Sequence, residues 1–210
     1  MINFLKYKSN WGLELKEDSM TSIIIEHLLM LQNEIFQIIL QDAANIKREN
    51  WGKILEVIFW PHWNPSGTSN SNYIEPDVFI SFEKLDLIIE AKAGIHNKQY
   101  MEQWENEIIS YTNEFGNKKE RILLAIDGNL NHFSEELSDQ TKIYKTSWHK
   151  IYNSFSKYKN LIPNYKANII DMAFKLIQIV SYSPLTDLLF YNHNINSDSI
   201  QTLNNYFKIK

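Results

Sequence analysis

The chain has 210 residues, of which 44% are hydrophobic, 22% charged and 13% aromatic, and it contains no cysteine. This composition is typical of a folded domain and excludes disordered and collagen-like chains. The lack of cysteine excludes disulfides, cysteine-based zinc sites and thiol nucleophiles. We therefore expect a single domain over residues 1–210, in which any metal is held by oxygen or imidazole.

The formal net charge of −4 is unevenly distributed along the chain. Residues 61–140 carry 6 basic and 14 acidic side chains, whereas residues 141–210 carry 9 and 3. This division suits a cation site beside an anionic ligand, although solvated surface charge gives the same counts. The N-terminus lacks the apolar run of a signal peptide, and no stretch reaches about 18 apolar residues. We expect a cytoplasmic protein that does not enter a membrane.

Hydrophobic periodicity predicts the secondary structure in chain order. Spacings of three and four predict one helix over residues 20–47, and a β-branched run predicts a strand over 54–60. A loop rich in Pro, Ser and Asn follows. The remaining strands are expected at 73–82, 85–92, 121–127 and 142–146, and the helices at 97–115, 147–158 and 165–182. The chain is therefore predicted to be α/β (α+β), with a central mixed sheet of four to five strands flanked by helices and a helical C-terminal extension over about 160–210.

The two strands at 73–82 and 85–92 carry a concentration of charge. If residues 83 and 84 form a two-residue turn, Asp77 faces Glu90 and Glu75 faces Lys92, on one side of the hairpin. Facing carboxylates destabilise a sheet unless a cation neutralises them. Lys92 supplies one positive charge, and hard oxygen ligands suit Mg²⁺ or Mn²⁺. The alternative is an amphipathic hairpin with its charged face in water.

These residues resemble the motif of the PD-(D/E)XK nuclease superfamily, which has the restriction-endonuclease-like fold. Pro76-Asp77 is similar to the proline–aspartate element, and Glu90-Ala91-Lys92 to the E-X-K element on the next strand. The predicted order of helix, three strands, helix and strand also matches the family core, so the resemblance implies a nuclease-like core over about 18–158.

The resemblance further implies the roles of individual residues. The family pattern implies metal binding by Asp77, Glu90 and the carbonyl of Ala91, and catalysis by Lys92. Many members carry a glutamine in the helix after the E-X-K strand, for which Gln103 is the better match and Gln99 the second. Members also carry a metal-facing glutamate in the first helix, here Glu26. Glu26 and Gln103 are equally explained as surface residues.

The function that follows is metal-dependent hydrolysis of phosphodiester bonds, with Mg²⁺ or Mn²⁺ as cofactor and DNA as the expected substrate. In this chemistry Lys92 orients or helps to deprotonate the attacking water, or stabilises charge on the phosphate. The alternative is a catalytically silent nuclease-fold protein that binds nucleic acid or serves as an assembly subunit. Substrate specificity, the number of metal ions and a homodimer or partner subunit stay open.

A basic segment follows the predicted core strands. Residues 141–166 contain six lysines and no acidic residue, interleaved with aromatic side chains. Helical spacing assigns the aromatic residues to the core and places Lys150 and Lys157 on the opposite face. We predict that Lys145, Lys150 and Lys157 contact nucleic-acid phosphates, with an ordinary lysine-rich surface as the alternative.

Overall fold

A mixed β-sheet with helices on both faces forms the centre of the protein. The structure is a computed structural model that describes residues 17–93, 98–128, 136–138 and 141–180. The predicted C-terminal extension beyond residue 180 lies outside these described residues. The helices are α1 (Glu17–Leu28), α2 (Asn33–Ala43), α3 (Met101–Phe115), α4 (Trp148–Tyr158) and α5 (Asn164–Val180). The strands are β1 (Ile54–Phe59), β2 (Val78–Phe82), β3 (Leu85–Ala91), β4 (Glu120–Ile126), β5 (Glu136–Ser138) and β6 (Thr141–Thr146).

The six strands lie in the order β1-β2-β3-β4-β6-β5. Strand β2 pairs antiparallel with both β1 and β3, whereas β3, β4 and β6 run parallel. Strand β5 returns antiparallel to β6. The predicted class of a mixed sheet flanked by helices is confirmed. The sheet has one strand more than the four to five expected, because the three-residue edge strand β5 is too short to leave a pattern in the sequence.

Alternate residues of the central strands enter two hydrophobic clusters. On one face, residues such as Ile89 and Leu124 pack under α1, α2, α4 and α5 in the larger cluster. On the other face, Ile88 and Leu123 pack under α3, with Trp104 and Tyr111 as its main buried side chains. Of the described helices, four thus cover one sheet face and α3 covers the other.

Two predicted elements have different bounds in the structure. The single helix expected over 20–47 is two helices, because the chain turns at residues 29–32 and Gln32 takes an extended conformation before α2. The strand expected from residue 73 begins at Val78, and the segment before it makes an isolated bridge between Ile74 and Trp63. Pro76 explains the late start, because proline cannot donate to a strand ladder.

Helix α5 packs on the main body of the protein. Its residues Ala167, Ile170 and Phe174 belong to the larger cluster, and α5 contacts α1. None of the described helices combines the length and apolar character that crossing a bilayer requires.

Candidate functional site

The hairpin of β2 and β3 has the register that the sequence predicts. The pairs run from Val78 with Ile89 to Ser81 with Asp86. Asp77 immediately precedes β2, where its backbone carbonyl accepts a hydrogen bond from Trp60 N at 3.0 Å. Its side-chain Oδ2 accepts a second hydrogen bond, from Ala91 N at 2.8 Å. Two backbone contacts therefore fix the buried Asp77 between the end of β1 and the end of β3.

Lys92 follows β3 directly and neutralises part of the charge at this end of the strand. Its Nζ atom lies 2.6 Å from Oε1 of Glu90 and 3.1 Å from Oε1 of Glu17. The second oxygen of Glu17 accepts a hydrogen bond from Ala93 N at 3.1 Å. The first residue of α1 is thus attached to the end of β3 by both carboxylate oxygens.

Glu107 is a third buried carboxylate at this point, and the sequence analysis does not identify it. It lies on the sheet-facing side of α3 and is 1% exposed. Among the residues that the structure describes, no donor bonds to Oε1 or Oε2 of Glu107. Its position between Trp104 and Tyr111, at spacings of three and four, is one where an amphipathic helix normally carries an apolar residue. That misplaced charge is the sequence signal that could have identified it.

The electrostatics of these groups reflect burial and mutual repulsion. Burial raises the pKa of Asp77 well above its ordinary value, and the charge of Glu90 raises it further. The hydrogen bond from the Ala91 N–H and the charge of Lys92 lower this pKa, but by less. Burial also raises the pKa of Glu90, although Lys92 lowers it. The pKa of Glu107 is raised mainly by burial and then by the charges of Glu90 and Asp77.

Lys92 behaves as a fixed cation in this arrangement. Burial alone would lower the pKa of its ammonium group. Glu90 raises this pKa by its charge and its hydrogen bond, and the charges of Glu17 and Asp77 raise it further, so that it lies above its ordinary value. Lys92 is therefore protonated at neutral pH. It is suited to stabilise negative charge on a substrate, and it does not act as a base in this state.

The two glutamines proposed from the sequence have different surroundings. The side chain of Gln103, on α3, lies close enough to Glu90 to lower the pKa of that carboxyl. Gln99 instead donates to the backbone carbonyls of Glu90, Ile126 and Asp127 and accepts a hydrogen bond from Trp104 Nε1. Gln99 therefore joins the ends of strands β3 and β4, whereas Gln103 contacts a carboxylate.

Glu26, the metal-facing candidate from the first helix, accepts a hydrogen bond from Ser22 at 2.6 Å. Glu17 of the same helix is the residue that contacts Lys92. Nine residues separate Glu17 from Glu26, which corresponds to a rise of about 13.5 Å along an α-helix. The structure thus brings a helix carboxylate to Lys92, but it is Glu17, at the start of the helix.

Lys145 lies on the same sheet face as the carboxylates. Glu90 is paired with Ala125 of β4, which is paired with Lys145 of β6, so the two charged residues share one level of the sheet. At the usual strand spacing their Cα atoms are about 10 Å apart. The ammonium of Lys145 lies over the Trp104 ring, 5.7 Å from its centre.

Lys150 and Lys157 lie on α4, which covers the opposite face of the sheet. Both line a small cavity of about 290 Å³ that also includes Asp42. The Nζ atom of Lys157 is 2.8 Å from Oδ1 of Asp42. The helical spacing correctly placed both lysines on the exposed side of α4, but it gave no sign of this ion pair with another helix.

A cleft of about 500 Å³ leads towards Glu107 from the surface. Its walls are the α3 residues around Gln103 and the loop residues 69–75. The loop is held along α3 by hydrogen bonds, including Asn64 N to Glu114 at 2.7 Å and Asn106 Nδ2 to Ser69 Oγ at 2.9 Å. At the loop end, Glu75 contacts His62 at 2.7 Å, and His62 stacks on Tyr73.

The donor set at the strand end suits a hard divalent cation. It offers carboxylate oxygens, the chain has no cysteine, and Glu107 contributes two buried oxygens that meet no donor within the described part of the chain. Within residues 17–93, 98–128 and 141–175, however, no group of three or more histidine, aspartate or glutamate side chains is arranged ready to hold a metal ion. Binding of a cation here therefore requires some adjustment of side chains.

No model of a protein family and no curated protein matches this chain. The interpretation of the site accordingly rests on the residues themselves. The arrangement at the end of β3 consists of Asp77 and Glu90 from the hairpin, Lys92 and Glu17 beside them, and Gln103 and Glu107 from the covering helix.

Proposed function

We propose that this chain is a metal-dependent nuclease of the PD-(D/E)XK type that hydrolyses phosphodiester bonds in DNA with Mg²⁺ or Mn²⁺. The observation that carries the proposal is the position of Asp77 and Glu90 at the same end of the hairpin, with the Lys92 ammonium 2.6 Å from Glu90. The order of α1 and α2, three antiparallel strands, α3 and β4 supports a restriction-endonuclease-like core over about 18–158.

The roles of the residues follow from their contacts. Asp77, Glu90 and the carbonyl of Ala91 would hold the cation. When bound, Mg²⁺ or Mn²⁺ supplies Lewis acidity to a phosphate oxygen and lowers the pKa of a coordinated water. Lys92 stabilises the negative charge that develops on the phosphate, because it remains protonated beside Glu90. Gln103 favours the ionised form of Glu90, because its side chain lowers the pKa of that carboxyl.

Two further features support a nucleic-acid substrate. Lys145 presents a positive charge on the sheet face of the carboxylates, where a phosphate group can meet it. Tyr73 and Tyr100 line the cleft and are 44% and 59% exposed. Exposed aromatic rings of this kind stack on nucleic-acid bases.

The test is a cleavage panel of plasmid, linear duplex, single-stranded and branched DNA, and RNA, each with Mg²⁺, Mn²⁺ or EDTA. We expect DNA cleavage that requires a divalent cation and is lost in Asp77→Asn and Glu90→Gln, with Glu105→Gln as a matched exposed control on α3. Cleavage that persists in EDTA or in Asp77→Asn would falsify the proposal. Binding without cleavage under every condition would favour the silent nuclease-fold alternative.

A further inference from the structure

Glu107 is a buried charge that the packing of the protein does not account for. It is 1% exposed, and both of its carboxylate oxygens lack a hydrogen-bond donor among the described residues. An unpaired buried carboxylate costs several kcal/mol of stability, so its presence on the buried face of α3 calls for a function. An apolar side chain at this position would pack more favourably against the sheet.

The neighbouring carboxylates of Glu90 and Asp77 increase the energetic cost of burying Glu107. Glu107 lies close enough to Glu90 to share a hydrogen bond if one of the two groups carries a proton, and its charge also interacts with that of Asp77. When both glutamates are ionised, neither offers a donor to the other. When ionised, Glu17, Asp77, Glu90 and Glu107 together bring four negative charges to the surroundings of Lys92. Either protons or a further cation must neutralise this excess.

The covering helix presents Glu107 in a defined direction. Gln103 and Glu107 are four residues apart on α3 and so lie on the same side of the helix. Both line the cleft of about 500 Å³, and Gln103 contacts Glu90. Glu107 is therefore held between the cleft and the end of β3, where a ligand entering through the cleft would reach it.

From this geometry we infer that Glu107 is a third carboxylate ligand of the divalent cation, supplied by α3 in addition to Asp77 and Glu90 from the hairpin. The inference rests on the proposed nuclease function, and it takes from α3 a carboxylate ligand that the family resemblance implied at Glu26 of α1. A carboxylate from the covering helix closes the cation site on the side of the cleft, and it couples the position of α3 to cation binding.

The test is direct titration of the purified full chain with Mn²⁺, followed by calorimetry and by electron paramagnetic resonance of the free ion. The variants are Glu107→Gln, which keeps the shape of the side chain, and Glu105→Gln, an exposed control two residues earlier on α3. We expect at least a tenfold rise in the Kd for Mn²⁺ in Glu107→Gln and no change in Glu105→Gln. Loss of an outer-shell partner alone typically lowers metal affinity about 10- to 100-fold, so loss of a direct ligand should cost at least tenfold.

The outcomes separate this inference from the proposed function. If the wild-type chain binds Mn²⁺ and Glu107→Gln binds it equally well, Glu107 is only a buried neutral acid and the inference fails, while the nuclease proposal stands. If the wild-type chain binds neither Mn²⁺ nor Mg²⁺ at millimolar concentrations, both fail. Should Glu107→Gln not fold by circular dichroism, Glu107→Asp, which withdraws the carboxylate by one methylene, is measured instead, and unchanged affinity again overturns the inference.

Discussion

The Asp77 carboxylate accepts a hydrogen bond from the backbone N–H of Ala91 at 2.8 Å, which ties the residue before β2 to the last residue of β3. The bond holds Asp77 beside Glu90, although their charges repel each other. An asparagine at position 77 also carries an oxygen that can accept this bond. Charge and hydrogen bonding can therefore be separated by experiment at this residue.

We expect Asp77→Asn to be at least as stable as the wild-type protein without metal, because one of several clustered negative charges is removed. Stabilisation by Mg²⁺, measured as the rise in Tm across a Mg²⁺ titration, should largely disappear. If Asp77→Asn instead lowers the free energy of unfolding without metal by several kcal/mol and leaves the rise in Tm with Mg²⁺ unchanged, Asp77 is a structural residue.

Asp86 provides the matched control for this measurement. It is buried on the same face of β3, but Lys119 contacts it at 2.7 Å and the Tyr111 hydroxyl donates to it at 2.6 Å. Asp86→Asn removes a paired charge, so we expect a loss of about 1–3 kcal/mol in the free energy of unfolding. Its response to Mg²⁺ should equal that of the wild type.

We expect Lys92→Ala to lower kcat for DNA cleavage by at least about 100-fold, which is typical for removal of a group that stabilises transition-state charge. Its Tm without metal should also fall at neutral pH, because Glu90 and Glu17 lose their shared cation. The fold is checked by circular dichroism well below the Tm, and Lys98→Ala serves as an exposed lysine control. Cleavage at the wild-type rate in folded Lys92→Ala would exclude a catalytic role.

The three lysines proposed to meet phosphates should differ in their effects. We expect Lys145→Gln to weaken DNA binding and to reduce its dependence on salt, since Lys145 lies on the carboxylate face of the sheet. Lys157→Gln should have a smaller effect, because Asp42 already pairs with that ammonium group. DNA-binding isotherms at several salt concentrations test this order. The comparison for Lys157→Gln is Lys150→Gln, which changes another exposed lysine of α4. If Lys145→Gln and Lys157→Gln lose the same amount of DNA affinity, DNA also contacts the sheet face that α4 covers.

Asp127 should make the stability of the protein depend on pH. Burial raises the pKa of its carboxyl from 3.8 to about 6, although the Trp148 N–H donates to it. Between these values the folded protein keeps a proton that the unfolded chain has lost. This contribution to stability is therefore complete below about pH 4 and is lost as the pH rises through about 6.

The variant that isolates this effect is Asp127→Asn, which removes the charge and keeps an acceptor for Trp148 N. We expect equal stability at pH 4 and a gain of roughly 2–3 kcal/mol over the wild type at pH 8, measured by urea unfolding. Asp77, Glu90 and Glu107 also have raised pKa values and act in the same direction. The test is therefore the difference in the free energy of unfolding between Asp127→Asn and the wild type at each pH, because the wild-type profile alone contains all of these groups.

The local features of the site could be predicted from the sequence. The register of β2 and β3 depends on a two-residue turn and on the alternation of side chains, both of which involve neighbouring residues. The prediction that Asp77 and Glu90 meet at one end of the hairpin therefore had a local basis. Gln103 is matched by the family resemblance, whereas its effect on the pKa of Glu90 depends on the packing of α3 on this sheet face.

The remaining features depend on contacts between distant segments. Glu17 reaches Lys92 across 75 positions of sequence, and Lys157 reaches Asp42 across 115. The break between α1 and α2 has no glycine or proline to mark it, and Glu107 lies next to Glu90 only because α3 packs on that sheet face. The sequence by itself determined the strand pattern and the side of the hairpin on which Asp77, Glu90 and Lys92 lie, because these follow from side-chain periodicity. Only the tertiary structure decided which further charges surround them, because helix packing sets those distances.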